Sequence, residues 1–333
     1  MFKKLYENEN PSQKEIEDLL MVGGEQQAQL LNFADEIRKK HCGEAIILRG
    51  IVEFSNYCNR DCSYCGLNIK NHSLKRYRMS AEEILQSADL IASYNIGTVV
   101  LQSGEDEKTD PVEFAGIIKE IKSRHKIAVT LSVGERSKED YKLWRQAGAD
   151  RYLLKIETSD SGLYKELHPG MSFENRLRCL ADLKELGYET GSGIIVGLKG
   201  QTTAILAKDI LFLKNLDLDM IGIGPFIPHK DTPLGDEPAG SVDLTLKVIA
   251  LTRILTKDTN IPATTALGSL SKDFRPEGLK AGANVLMPNF TPDVYKKLYE
   301  IYPGKRCIDE KTGSCALCMG KMANSVGRVI SNA

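Results

Sequence analysis

No charge of either sign dominates this sequence: 44 Lys plus Arg stand against 45 Asp plus Glu in 333 residues, a formal net charge of −1. Neutralising a phosphate backbone takes a basic field, so the composition points to no nucleic-acid partner. Long hydrophobic runs are missing as well. No stretch of about 18 apolar residues occurs, and the opening MFKKLYENENPSQKE lacks the apolar segment of a signal peptide. No membrane partner is expected, and a cytoplasmic location is. No Pro- or Ser-rich linker divides the chain, and no G-x-G-x-x-G opens a first helix, which removes the main signature of a dinucleotide fold. What is present is 42% hydrophobic, ample for one large α/β domain or two ordinary ones.

Eight cysteines stand at 42, 58, 62, 65, 179, 307, 315 and 318, six of them in two tight clusters. A disulfide scaffold is short and scatters its cysteines through loops, so the clustering points to metal ligands in a reducing compartment. The first cluster is Cys58-x3-Cys62-x2-Cys65, with Tyr64 immediately before the last thiol and no fourth cysteine at ferredoxin-like spacing. Three thiolates can hold three irons of a 4Fe-4S cluster and leave the fourth iron open to a non-protein ligand. Structural zinc is the competing account, but a closed zinc site wants four ligands. Asn59 and Ser63 are poor substitutes, and the nearest histidine, His72, lies in the basic run from Lys70 to Arg78. The triad and its aromatic resemble the signature of the radical S-adenosylmethionine superfamily. That resemblance implies an open iron that chelates the amino and carboxylate groups of S-adenosylmethionine. It also implies an electron from the cluster that releases methionine and a 5′-deoxyadenosyl radical.

Between residues 45 and 302, short β-rich runs alternate with amphipathic charged segments. The expected strands are 45–54, 98–103, 127–133, 151–158, 190–196, 220–225, 261–266 and 284–288, separated by helix-length intervals that suit right-handed crossovers. Ser80-x-x-Glu83 is a capping box, Asp110-Pro111 starts another helix, and Gly148, Gly187 and Gly282 stand at stop positions. The sequence therefore predicts a complete (β/α)8 TIM barrel over 45–302, with an N-terminal helical cap at 1–44 and a short C-terminal extension, 303–333. An open doubly wound sheet is the alternative, because alternation alone does not settle closure.

Barrel chemistry sits at the C-terminal ends of strands. Cys58 to Cys65 follow the first strand. The second runs into Gln102-Ser103-Gly104-Glu105, where a small residue and a glycine let the backbone approach a ligand's ammonium group; a helix-capping turn explains the same residues equally well. Thr130 and Ser132 share a face of the third strand, and Arg151, Lys155 and Glu157 share a face of the fourth. Charges inside a barrel are costly unless paired or ligand-bound, so Lys155 and Glu157 are expected to face a ligand, with a plain internal salt bridge as the alternative. Arg176, opening the next helix, suits a carboxylate gripped by both arms of its guanidinium. Ile194, Ile195 and Gly197 offer an apolar face for adenine. Thr264 and Thr265 supply hydroxyls on the seventh strand, Met287 ends the eighth, and Tyr295, Tyr299 and Tyr302 follow at roughly helical spacing. His41, His72, His125 and His168 show no partners in sequence, and His229 follows the sixth strand with nothing nearby to pair with it. Cys42 and Cys179 read as ordinary buried thiols.

Longer runs narrow the resemblance. EFSNYCNRDCSYCGL, LKRYRMS, VVLQSGED, ADRYLLKIET, SFENRL, LKELGYETGSG, GIGPFIPH, IPATTA and YPGKRC, spread between residues 45 and 322, resemble the HydE family of FeFe-hydrogenase maturases in the biotin-synthase-like branch. This resemblance implies that Cys58, Cys62 and Cys65 bind the 4Fe-4S cluster and that the Tyr64 backbone meets the adenine. Gln102, Ser103, Gly104, Glu105, Glu157 and Arg176 would then hold S-adenosylmethionine. Thr130, Lys155, Thr264, Thr265, Met287 and one late tyrosine, taken as Tyr299, would line the substrate end. Some members carry arginine where this chain has Lys155, and a lysine cannot supply the same fork. Cys307-x7-Cys315-x2-Cys318 resembles an accessory 2Fe-2S or 4Fe-4S site found in part of the family, with no catalytic role. The implied reaction is attack by the adenosyl radical on the sulfur of a cysteine-bound iron carbonyl cyanide unit. A companion tyrosine-cleaving radical maturase supplies that unit, and a GTPase scaffold maturase receives the product. A methylornithine-synthase-like mutase acting on an amino acid and a non-catalytic iron-sulfur carrier are the alternatives.

Overall fold

The computed structural model describes residues 2–8 and 10–331. Three helices come first, Phe2–Glu7, Gln13–Leu20 and Gly24–Cys42. Ser12 and Glu15 form a reciprocal capping box at the second, which packs on the later helix Thr203–Asn215, while the third packs on Val242–Thr256.

Nine strands follow among the described residues: β1 (Ile46–Leu48), β2 (Gly50–Ser55), β3 (Thr98–Ser103), β4 (Ala128–Ser132), β5 (Arg151–Leu153), β6 (Glu189–Val196), β7 (Met220–Pro225), β8 (Val285–Leu286) and β9 (Ile330–Ser331). Strands β2 to β7 form one parallel sheet in sequence order. The crossovers are helical. Ala81–Ser93 starts on the Ser80/Glu83 box, and Pro111–Arg124 starts on Asp110 with proline in its first turn. Gly148, Gly187 and Gly282 take φ of 108°, 76° and 108° just past their helices, the left-handed backbone that ends a helix cheaply only at glycine. Val99, Leu101, Val129, Leu131 and Ile221 are fully buried, which is why these strands read as nearly continuous apolar runs.

The uniform eight-stranded barrel is seen only in part. A second parallel sheet has the order β8-β1-β9. The expected strand at 261–266 is replaced by isolated bridges, Met220 to Asn260 and Pro262 to Val285, and by the short helix Thr265–Gly268. The strand expected at 284–288 shrinks to β8, with a further bridge from Ile51 to Asn289. Pro262 and Pro288 lack the N–H that a ladder needs, so pairing there falls to single bridges. The run expected at 151–158 stops at Leu153, and Glu157 beyond it turns to φ +64°. No helix among the described residues is long and apolar enough to cross a membrane.

Candidate active site

After Ser55 the chain leaves the sheet in a long loop that is shaped by side chains rather than by regular structure. The Arg76 guanidinium donates to the carbonyls of Asn56, Leu67, Asn68 and Asn71 at 2.6, 2.9, 2.7 and 3.3 Å. Ser63 N and Oγ donate to Leu167 O and Glu166 O, both at 2.9 Å. Gly66 N donates to Ile301 O at 3.0 Å, and a methyl on Gly66 would lie 2.2 Å from Glu300 O, so only glycine fits after Cys65. This loop brings Cys58, Cys62, Tyr64 and Cys65 onto the wall of one cavity of about 370 Å³. Burial pushes all three thiols up, Cys65 to about 12, so ligand binding here exchanges protons for metal.

Gln102 and Ser103, at the end of β3, and Gly104 and Glu105 just beyond it also line that cavity. A methyl on Gly104 would lie 2.3 Å from Tyr57 O and 2.7 Å from Cys58 Cβ, so the two loops meet through a missing side chain. Gln102 Nε2 donates to the Tyr299 hydroxyl at 3.0 Å.

Arg176 also faces the cavity, but its fork is occupied. Its Nε donates to Glu135 at 2.7 Å, one Nη donates to Lys155 O, and the other lies 3.5 Å from Glu105. Asn175 Nδ2 donates to Glu135 at 2.7 Å, and Arg60 pairs with both Glu105 and Glu135. Glu135 and Arg60 escaped the sequence reading. The available signal was Glu135's place just past β4, at the end where barrel chemistry gathers.

Lys155 and Glu157 both face the cavity. Their Nζ and Oε2 lie 2.9 Å apart, but off the hydrogen-bonding direction, so the Glu157 oxygen is buried without a hydrogen bond. Of the two alternatives the salt bridge is present, and both of its side chains face the cavity. Arg151, on the same strand face, is instead at the far end of β5, held by Glu189 and by Thr98 Oγ1 at 3.1 Å.

Thr264, Thr265, Met287, Tyr299 and Tyr302 line the same cavity, with Ile195 as an apolar surface. Thr130 does not. Ser132, two residues nearer the strand end, takes its place on the wall, and the Thr130 Oγ1 is buried beneath without a hydrogen bond. Tyr295 stacks on Tyr77 and donates to Glu83 at 2.8 Å, outside the cavity.

Most of the histidines have partners after all. His168 lies 3.1 Å from the Tyr64 hydroxyl and stacks on Tyr164; burial, with the Arg176 charge, lowers its pKa to about 3, so it is neutral. His41 meets the Tyr6 hydroxyl at 2.9 Å and His125 meets Asp89 at 2.6 Å. His229 Nδ1 accepts from Asp231 N at 3.2 Å, and the residue is not on the cavity wall. His72 is exposed. Cys179 is fully buried as expected, whereas Cys42 is half-buried and accepts from Arg253 at 3.2 Å.

A buried ion pair was also missed. Glu53 of β2 meets Lys305, which arrives from beyond residue 302, and accepts from Asn289 Nδ2 at 3.0 Å. A lone charge in the apolar run Ile51–Phe54 was the signal. Glu53, Lys305 and Met287 also face a second, small cavity, which holds Cys307 and Cys315 with their sulfurs 3.2 Å apart. Cys318, one turn on from Cys315 in the helix Ser314–Ser325, is exposed and lies 3.9 Å from Glu310 Oε2.

Among the described residues no three His, Cys, Asp or Glu side chains close on a single ion. Zinc needs such closure; a cubane does not, since each thiolate takes a different iron.

Residues 52–213 match the family model of the radical SAM superfamily. With the triad at the mouth of a parallel α/β sheet, the molecule is a radical S-adenosylmethionine enzyme. The [FeFe] hydrogenase maturase subunit HydE of Thermotoga maritima is 54% identical over 299 residues, 90% of this chain and 86% of that one. The chain belongs to the HydE family. A 3-methylornithine synthase of Methanosarcina acetivorans is 29% identical over 287 residues, 85% of this chain and 81% of the relative. The crystal structure of methylornithine synthase shares the fold with a TM-score of 0.85 at 24% identity, covering 99% of this chain and 97% of that one. Membership implies a 4Fe-4S cluster and S-adenosylmethionine, and the residues fit both. Three thiols share one wall, the Gly104 backbone is bare beside them, and a buried Glu157 oxygen is left without a hydrogen bond.

Proposed function

We propose that this chain acts in FeFe-hydrogenase maturation as a radical enzyme on the sulfur of a cysteine-bound iron carbonyl cyanide precursor. The observation that carries the reading is that the three thiols and the buried Glu157 carboxylate, paired with Lys155, share a cavity with two threonine hydroxyls, on a chain 54% identical to a HydE. When bound, the cluster and S-adenosylmethionine supply an electron and an adenosyl radical. The chain's own residues do the rest. Cys58, Cys62 and Cys65 hold three irons. The Tyr64 backbone meets the adenine, Gln102 to Glu105 and Glu157 accept the cofactor's polar groups, and Arg176 both meets its carboxylate and braces Glu105 and Glu135. Lys155, Thr264, Thr265, Met287 and Tyr299 form the substrate end, where cyanide and carboxylate accept hydrogen bonds from the ammonium and the hydroxyls and Met287 supplies an apolar contact. Thr130 supports that end from one step below.

On this reading residues 45–302 work as one barrel, closed through the bridges at 260–262 and at Ile51, with 1–44 as a cap. The extension 303–333 holds the accessory 2Fe-2S or 4Fe-4S site on Cys307, Cys315 and Cys318. A tyrosine-cleaving radical maturase supplies the substrate, a GTPase scaffold maturase takes the product, and all three work in the reducing cytoplasm.

The test is to incubate the reduced, reconstituted protein with S-adenosylmethionine and the organometallic cysteine unit. The expected product is adenosine joined through sulfur to the iron unit. A mutase like the methylornithine synthases is the second reading, favoured by the 29% identity over most of both chains, and rearrangement of an amino acid would establish it. Failure to release methionine from S-adenosylmethionine under all conditions would leave a non-catalytic carrier.

A further inference from the structure

Glu157 enters the cavity from a left-handed backbone, φ +64°, which disfavours any residue with a Cβ. Backbone bonds fix Glu157 itself: its N–H donates to Gly193 O at 2.9 Å and its carbonyl accepts from Ile195 N at 3.2 Å. Beyond it the sheet offers nothing, and a single carboxylate holds the next two residues instead. Asp209, fully buried on the helix Thr203–Asn215, accepts from Ser159 N at 2.5 Å, Ser159 Oγ at 2.6 Å and Thr158 Oγ1 at 3.2 Å. Thr158 Oγ1 in turn receives Asp160 N at 3.2 Å, and Asp160 caps the helix Ser161–Leu167 that leads to His168 on the cavity wall. A carboxylate in a helix interior is costly to bury, and this one spends its oxygens on the joint between a strained Glu157 and a wall helix.

We infer that Asp209 is a positioning residue that holds the Glu157 carboxylate in the cavity for S-adenosylmethionine. The inference rests on the reading of Glu157 as a cofactor-facing group.

The experiment measures S-adenosylmethionine affinity by equilibrium dialysis on the reconstituted holoprotein, with iron content and melting temperature followed alongside. Asp209→Ala is expected to weaken binding about tenfold, the scale of one charge-assisted hydrogen bond, at unchanged iron content. Asp209→Asn keeps an acceptor for Ser159 N and should restore most of the affinity. Glu157→Gly tolerates the backbone and removes the carboxylate, so it should weaken binding similarly. Adding Asp209→Ala to it should cost less than about twofold more, because the two act through one contact. Equal tenfold losses in both backgrounds, or unaltered binding in Asp209→Ala, would overturn the inference and leave Asp209 a fold-supporting group. Full affinity in Glu157→Gly would instead overturn the cofactor-facing reading of Glu157, and the inference with it. Should Asp209→Ala not fold, Ser159→Ala removes one donor and leaves the carboxylate. It is then expected to weaken binding about threefold in the unmodified background and not in Glu157→Gly.

Discussion

Replacing Gly104 by alanine tests the contact between the loop beyond β3 and the cysteine loop. The new methyl would stand 2.3 Å from Tyr57 O and 2.7 Å from Cys58 Cβ, neither of which can rotate away. Carbon contacts settle near about 3.5–4.0 Å, so the loops must separate by roughly 1 Å. Overpacking of this kind costs about 1–3 kcal/mol. The larger effect falls on chemistry, because Cys58 moves with its loop, and a misplacement of about 1 Å costs up to ~100-fold in rate. The assay is iron per chain after anaerobic reconstitution, the electron paramagnetic resonance of the reduced cluster with and without S-adenosylmethionine, and the initial rate of 5′-deoxyadenosine release. Gly116→Ala is the control. It sits exposed on the helix Pro111–Arg124 with nothing within 4 Å of the added methyl. That change should stabilise by about 0.5–1 kcal/mol and leave the rate alone. Equal rates and affinities in Gly104→Ala and the unmodified enzyme would refute the claim that the bare backbone is needed.

Three further outcomes are expected. Cys62→Ala should abolish 5′-deoxyadenosine formation, since two thiolates do not retain the cluster; undiminished turnover would defeat the ligand assignment. Cys315→Ala should leave that formation and hydrogenase maturation largely intact, and loss of both with an intact first cluster would refute an accessory role. His168, ordinarily near 6.5, is lowered to about 3 by burial and the Arg176 charge. As pH falls between those values the unfolded chain takes up a proton that the fold refuses, so stability declines with acidification. Melting temperature followed from pH 8 to 5 should drop more steeply in the unmodified protein than in His168→Gln, and parallel curves would rule this out.

What a sequence makes legible depends on the range of the interaction. Ser80-x-x-Glu83, Asp110-Pro111 and the stop glycines act within four residues of themselves, and all appear where their spacing places them. Strands β3 and β7 match their expected bounds because continuous apolar runs are bounded by turns. The cysteine triad is legible for the same reason, its three thiols sharing one loop. The misses are long-range. Glu135 meets Arg176, Lys305 meets Glu53 and Tyr64 meets His168 only through the tertiary fold. The shortened fourth strand and the lost seventh share another cause: a left-handed glutamate and a proline interrupt β-rich runs whose composition still reads as strand. Thr130 shows the limit of periodicity, which assigns a face but not a depth along the strand.

Strand β9 lies parallel to β1, with Ile330 opposite Ile46, and Arg328 pins the approach by donating to Ala283 O and Leu279 O, each at 2.9 Å. The chain through Ser331 must therefore leave the ribosome before that edge of β1 finds its neighbour. At about 5–20 residues per second the wait is on the order of tens of seconds. Throughout it a nascent chain presents an apolar strand with free amides and carbonyls to any passing edge. Slower translation lengthens that exposure, and shielding of β1 over the interval opposes edge-to-edge association.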